Sequence, residues 1–145
     1  LNDFDETLPA PWEWDVKRLA VSFVVAARDS HLTDKEAQAA AVSAGRIGVT
    51  AESVDATARD IIADAGYGER FMHRTGHGIG VEEHEDPYIV SGNHQRLVAG
   101  NAYSVEPGIY LPGRFGFRLE DIVVATESGP DALNRVDHRL VAVDA

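Results

Sequence analysis

Gly66 divides this chain into two textures, and that division constrains the fold more than any other feature of the sequence. Before it, apolar residues recur at helical spacing; after it, short β-prone runs alternate with glycine and proline. Val16, Leu19, Ala20, Phe23, Val24 and Ala27 follow the i, i+3, i+4, i+7 rhythm of one buried helix face. Residues 1–13 upstream are turn-rich and acidic, and Pro9 and Pro11 discourage any helix there. Thr33 and Glu36 form a capping-box pattern ahead of an alanine-rich helix that runs to about Ala44, where Gly45 and Gly48 interrupt it. A third helix spans roughly Ala51 to Ala65, with Val54, Ala58, Ile61, Ile62 and Ala65 on one stripe and Gly66 as its stop. Beyond it, Phe71–Thr75, Tyr88–Val90, Ala102–Glu106, Ile109–Leu111, Phe117–Thr126 and Leu140–Val143 read as strands. Helices followed by a run of strands predict an α+β fold, a curved antiparallel sheet with helices on one face.

Several function classes drop out on composition. A length of 145 residues suits one domain, or one with a partial second. Thirteen basic against twenty-four acidic residues leave a net charge of −11, which repels phosphate backbones and argues against nucleic acid as a partner. No apolar run is long enough to span a membrane. No charged-then-apolar leader is present, which makes the expected location cytoplasmic. With no cysteine there are no disulfides, thiolate metal sites or cysteine nucleophile, so a metal must rest on His, Asp and Glu. The chain begins at Leu1 and its single methionine is Met72, a pattern expected of a fragment, a processed product or an unusual gene boundary.

The densest chemistry lies in His73-Arg74-Thr75-Gly76-His77-Gly78-Ile79-Gly80, followed by Glu82-Glu83-His84-Glu85-Asp86-Pro87. Three of the six histidines fall in that stretch, and the glycines around His77 let the backbone approach a ligand closely. Downstream, Ser104-Val105-Glu106-Pro107-Gly108 and Arg118-Leu119-Glu120-Asp121 each set a glutamate in or at the end of an apolar strand. A carboxylate there is costly to bury unless a cation pairs with it. One imidazole and two carboxylates around a divalent ion satisfy all three groups, a donor set that suits Mn, Zn, Co or Fe better than Ca or Mg. Taken singly, a loop histidine is an ordinary polar residue and a strand glutamate faces solvent. His31, His94 and His138 are read that way, and Glu82, Glu83 and Glu85 as a solvated acidic stretch.

In combination, His-Arg-Thr-Gly-His-Gly-Ile-Gly (73–80), Glu-Pro-Gly-Ile-Tyr (106–110) and Arg-Leu-Glu-Asp-Ile-Val (118–123) resemble the signature of pita-bread metallopeptidases, the Xaa-Pro aminopeptidases and prolidases above all. Gly48-Val49-Thr50-Ala51 and the helix after it resemble the family's approach to its site, so residues 48–145 are read as a C-terminal catalytic half, a partial pita-bread fold. The resemblance implies a hydrolase that cleaves peptides next to proline with a metal-activated water. His77, Glu106 and Glu120 are the implied metal ligands, with Glu120 bridging two ions; manganese is the first expectation, cobalt or zinc the alternatives. The implied catalytic residues are His84, which contacts substrate and shuttles protons, His73 near the scissile carbonyl, Glu106, and Arg118, which orients the bridging carboxylate. A peptide substrate is the implied partner.

The family's two upstream aspartate ligands have no counterpart here. Residues 1–43, through Leu1-Asn2-Asp3-Phe4-Asp5-Glu6-Thr7-Leu8-Pro9 and Pro11-Trp12-Glu13-Trp14-Asp15-Val16-Lys17-Arg18-Leu19, instead resemble an uncharacterised bacterial family with a kinase-like fold. There Asp3, with Asp5 as the second candidate, takes the metal–nucleotide position; the plainer reading is an acidic turn before a helix whose Trp12 and Trp14 pack on the core. No phosphate-binding element accompanies them, and the alanine-rich helix could belong to either parent. Residues 1–47 are therefore set apart as a helical segment of different origin, in a chimeric or truncated chain. The functional expectation is an Xaa-Pro metallopeptidase, incomplete or inactive as this chain; the alternative is a non-catalytic peptide- or protein-binding module on the same half-fold. Apolar surface left uncovered by a missing half is expected to favour homo-oligomers or self-association.

Overall fold

The computed structural model describes residues 33–135. Helix α1 (Thr33–Ala44) and helix α2 (Ala51–Asp64) lead through a short 3-10 turn (Gly68–Arg70) to seven strands: β1 (Gly76–Gly78), β2 (Glu85–Ile89), β3 (Ala102–Val105), β4 (Gly108–Leu111), β5 (Phe115–Arg118), β6 (Asp121–Thr126) and β7 (Gly129–Ala132). Five strands form one antiparallel sheet in the order β2-β1-β3-β6-β7, and β4 pairs with β5 as a separate hairpin. This is the α+β architecture expected.

The helices meet through small side chains. Ala37 and Ala41 of α1, and Ala51, Val54, Ala58 and Ile62 of α2, recur three or four residues apart and are fully buried. Gly66 ends the second helix as the sequence predicts. At φ 87° it donates its N–H to the Ala63 carbonyl at 2.8 Å, while Tyr67 N–H reaches the Ile62 carbonyl at 2.9 Å. That bond pair is the Schellman closure that glycine permits without strain.

Period-2 alternation then gives the sheet two different faces. Tyr103, Val105, Val123 and Ala125 point into the core with the helices. The Tyr103 hydroxyl donates to the Gly45 carbonyl at 3.1 Å, tying β3 to the end of α1, and burial pushes its pKa up to about 12. Gln38 Nε2 donates to Asp121 Oδ2 at 2.8 Å, so α1 belongs to the same core as β6. Ser104 and Glu106, of opposite parity to Tyr103 and Val105, face away from the helices, on the side that carries His77.

Several boundaries differ from expectation. The run Phe71–Thr75 is not a strand; the carbonyls of Phe71 and His73 are taken by Arg59 of α2, and the ladder begins at Gly76. The run Phe117–Thr126 is two strands, broken at Leu119-Glu120, because its first part pairs with β4 and its second with β3. Strand β7 went unread because Gly129-Pro130 carries no strand signal; it lies at the sheet edge, where proline is tolerated. The expected helix over 16–27, the strand 140–143 and the residues Asp3, Asp5, Trp12, Trp14 and Asp15 lie outside the described residues. Among the described residues no helix is long and apolar enough to cross a membrane.

Strand β1 is wedged between β2 and β3 with no room for side chains at its ends. A Cβ on Gly76 would collide with the Ser104 carbonyl, and one on Gly78 with the Asp86 carbonyl. Gly76→Ala is therefore expected to destabilise the chain by about 1–3 kcal/mol, the range for overpacking against a fixed backbone. Urea denaturation reads this directly, and an unchanged midpoint would refute the close approach.

Candidate active site

His77 is presented by β1 and held at both its backbone and its ring. Its N–H donates to Ser104 Oγ at 3.0 Å, and its Nδ1 lies 3.0 Å from the Gly78 carbonyl. A carbonyl can only accept, so Nδ1 carries the proton and Nε2 presents a lone pair. That lone pair faces Glu106 Oε1 at 3.3 Å, and both side chains are more than nine-tenths buried. The imidazole and the carboxylate both offer electron pairs across this gap, so a cation, whether a proton or a metal ion, suits the space between them.

Glu106 is fully engaged. Oε1 accepts from the Ser104 hydroxyl at 2.9 Å, and Oε2 pairs with Arg118 Nη1 at 3.0 Å. The other arm of the guanidinium, Nη2, lies 3.8 Å from Glu120 Oε2. Glu120 and Asp121 are neighbours on opposite sides of the chain: one reaches the site through Arg118, the other turns inward to Gln38.

Two further histidines stand around this centre. The His84 ring lies 4.1 Å from that of His77, centroid to centroid, at 64°. His73 accepts at Nε2 from the Tyr110 hydroxyl at 3.0 Å, since its Nδ1 is committed to the Arg74 carbonyl at 2.7 Å. Burial raises the Tyr110 pKa, with Arg118 opposing and Glu106 and Asp34 adding to the rise, which keeps its hydroxyl protonated as a donor. His73, Arg74, His84, Tyr88, Val90, Glu106 and Arg118 line one groove of about 540 Å³.

Helix α2 fixes the segment that enters this groove. Asp55, 1% exposed, accepts from Arg59 Nε and Nη2, both at 2.9 Å, and from Thr75 Oγ1 at 2.7 Å and Thr75 N at 3.1 Å. Arg59 in turn donates to the Phe71 carbonyl at 3.1 Å and the His73 carbonyl at 2.9 Å. The backbone on either side of His73 is thus clamped to the helix two residues before His77.

The fold brings together His73, His77, His84, Glu106 and Arg118, with Glu120 joined through the guanidinium. It does not assemble three ligands around one point: among the described residues no group of three His, Asp or Glu side chains is arranged to hold a metal ion. Arg118 bridges the two glutamates, 3.0 Å from Glu106 and 3.8 Å from Glu120. His77 with Glu106 fits one cation, and Arg118 holds Glu120 beside them.

The sequence pattern of metallopeptidase family M24 matches residues 17–127, and the chain belongs to that family. The match begins inside the segment 1–47 that the sequence reading set apart. Over 109 residues the chain is 59% identical to the probable dipeptidase PepE of Mycobacterium tuberculosis, covering 75% of this chain and 29% of that protein. It is 50% identical over 113 residues to the Xaa-Pro dipeptidase of Lactobacillus helveticus, covering 78% and 31%. Its structure superimposes on the crystal structure of dipeptidase PepE from Mycobacterium ulcerans with a TM-score of 0.73 and 53% identity, over 92% of this chain and 32% of the other. The architecture matches part of the pita-bread fold, and the chain spans about 30% of the length of these relatives.

Sequence reasoning assigned no role to Ser104, Tyr110, Arg74, Tyr88, Asp55 or Arg59. Three had a usable signal. Ser104 sits two residues before Glu106 in a strand, which places both on one face. Asp55 and Arg59 are an i, i+4 opposite-charge pair on a helix. Long-range folding alone places Arg74 and Tyr88 in the groove and Tyr110 against His73.

Proposed function

We propose that this chain carries the C-terminal part of the catalytic site of an Xaa-Pro dipeptidase, with a peptide as its substrate. His77, Glu106 and Glu120 would hold a divalent ion, manganese first, with cobalt or zinc as alternatives. The observation that carries this reading is the 3.3 Å meeting of His77 Nε2 with Glu106 Oε1 while Nδ1 is committed to the Gly78 carbonyl. Such an ion, when bound, acidifies a water and polarises the carbonyl that the water attacks. The chain's own residues do the rest. Ser104 keeps one Glu106 oxygen aimed at His77, Arg118 orients Glu120, His84 stands beside His77 to move a proton, and His73, held by Tyr110, faces the peptide carbonyl.

Counting ligands sets the expected stoichiometry. Three protein donors are a minimum for one catalytic-type ion, and a second would rest mainly on a shared carboxylate and water. Calorimetric titration with Mn, Co or Zn is expected to show at most one ion per chain, lost in His77→Ala and weakened in Glu120→Gln. Xaa-Pro hydrolysis by this chain is expected to be slight or absent. Two tightly held ions with robust turnover abolished by Glu120→Gln would overturn that count. Absence of any uptake would favour the second reading, a non-catalytic peptide- or protein-binding module, which the neutralisation of Glu106 by Arg118 supports.

A further inference from the structure

The buried ring of Phe71 links helix α2 to the groove. The Arg59 guanidinium lies over its face, 4.2 Å from Cζ to the centroid. The His73 ring meets it at 85° with centroids 5.1 Å apart, an edge-to-face arrangement that aromatic pairs prefer. His73 lines the groove, and a second ring, that of Tyr110, meets it at 67° and 5.3 Å. Arg59 is itself fixed. Asp55 takes its Nε and Nη2, and the carbonyls of Phe71 and His73 take Nη1 and Nη2. A cation over an aromatic face is held by the ring quadrupole, so the guanidinium braces Phe71 against His73.

The two hydrogen bonds of His73, from Nδ1 to the Arg74 carbonyl and at Nε2 from the Tyr110 hydroxyl, both require one orientation of the imidazole plane. A histidine ring has only a broad intrinsic preference about its outer torsion, and half-buried His73 leaves water able to compete for its nitrogens. We propose that Phe71, braced by Arg59, is a positioning residue for His73, holding its ring in one plane and one tautomer before a peptide arrives. This rests on the reading that His73 faces the peptide carbonyl, and adds the side chain that keeps it there. Each aromatic contact shifts an equilibrium by about two- to tenfold, so two of them let one plane dominate. The preset matters because misplacing a reacting group by about 1 Å costs on the order of a hundredfold in rate.

Long-range ¹H–¹⁵N correlation spectra of the histidine rings, taken on the metal-free chain at about pH 8, where imidazole is neutral, read the tautomer directly. His73 is expected to show one protonated nitrogen, Nδ1, and one bare nitrogen, Nε2. In Phe71→Leu its tautomer ratio should fall by about two- to tenfold, while the His77 ring, set by the Gly78 carbonyl, keeps its parent pattern. Phe71→Met serves if the leucine variant does not fold, and Phe71→Tyr, which keeps the ring, should restore the parent pattern. A tautomer-averaged His73 in the parent chain would overturn the proposal without any variant. So would a His73 pattern unchanged in the leucine or methionine variant, or His73 and His77 patterns lost together, the mark of general loosening. Manganese uptake on the same samples separates this from the metallopeptidase reading. Uptake with an unresponsive His73 sinks the role of Phe71 alone, whereas a His73 that follows Phe71 without uptake keeps the positioning and removes the hydrolytic site.

Discussion

Asp34→Asn is expected to stabilise the chain above pH 7, by up to about 4 kcal/mol, and to leave its stability nearly unchanged below pH 4. Asp34 opens α1 at 1% exposure, and neither carboxylate oxygen has a hydrogen-bond partner among the described residues. A helix N-terminus favours a negative charge by only about 0.3–1 kcal/mol. Burial wins, pushing the pKa from 3.8 up to about 7. That rise of about 3 units, at about 1.36 kcal/mol each, gives the ceiling of about 4 kcal/mol. The folded chain keeps this proton up to about pH 7, whereas the unfolded chain releases it near 3.8. Stability therefore falls as pH rises through that window and levels off above it. Asparagine is neutral throughout and removes the penalty, less whatever its own buried amide costs. Urea midpoints for both proteins between pH 4 and 8 read the difference; a gap that does not widen with pH would refute the assignment.

The second large effect lies in the clamp between α2 and the groove. Asp55→Ala is expected to lower stability by about 3 kcal/mol, the low end of the range for breaking a buried charged pair, because the Arg59 side chain is 32% exposed and regains some water. The loss includes the Thr75 hydroxyl, which is fully buried and has Asp55 as its acceptor. The same change frees Phe71–Thr75 and should broaden or shift the His73 and His77 ring resonances before global unfolding. A double-mutant cycle with Arg59→Ala isolates the pair. Stability within 1 kcal/mol of the parent, with both histidine signals unmoved, would show that the clamp contributes nothing.

Much of this was legible along the chain because local chemistry is strong where it was read. The stripe Val54-Ala58-Ile62 and the stop at Gly66 need only helical spacing and one residue that accepts positive φ. His77 and Glu106 drew attention through flanking glycines and apolar neighbours, but their implied roles, and that of Arg118, came from the resemblance carried by the three motifs in combination. Boundaries failed where a distant partner overruled local preference. Phe71–Thr75 is β-prone, yet Arg59, twelve residues before Phe71, takes its carbonyls. Gly129-Pro130 has no strand preference, yet it pairs with Thr126 and Ala125 because the edge of the sheet supplies the partners.

The sequence by itself determined the α+β class, the family signature and the residue types from which a cation site can be made. The class and the residue types follow from periodicity and from the cost of burying charge, which act within a few residues or on single side chains; the family signature rests on the resemblance of three motifs. Only the tertiary structure decided which lone pair His77 presents, since that depends on a carbonyl contact, and only it showed Arg118 standing between Glu106 and Glu120. Charges placed far apart along a chain carry no information about their distance in space, and Coulomb energy depends on that distance and on the dielectric around it. The site's electrostatics, including the arginine that bridges Glu106 and Glu120, therefore belongs to the fold.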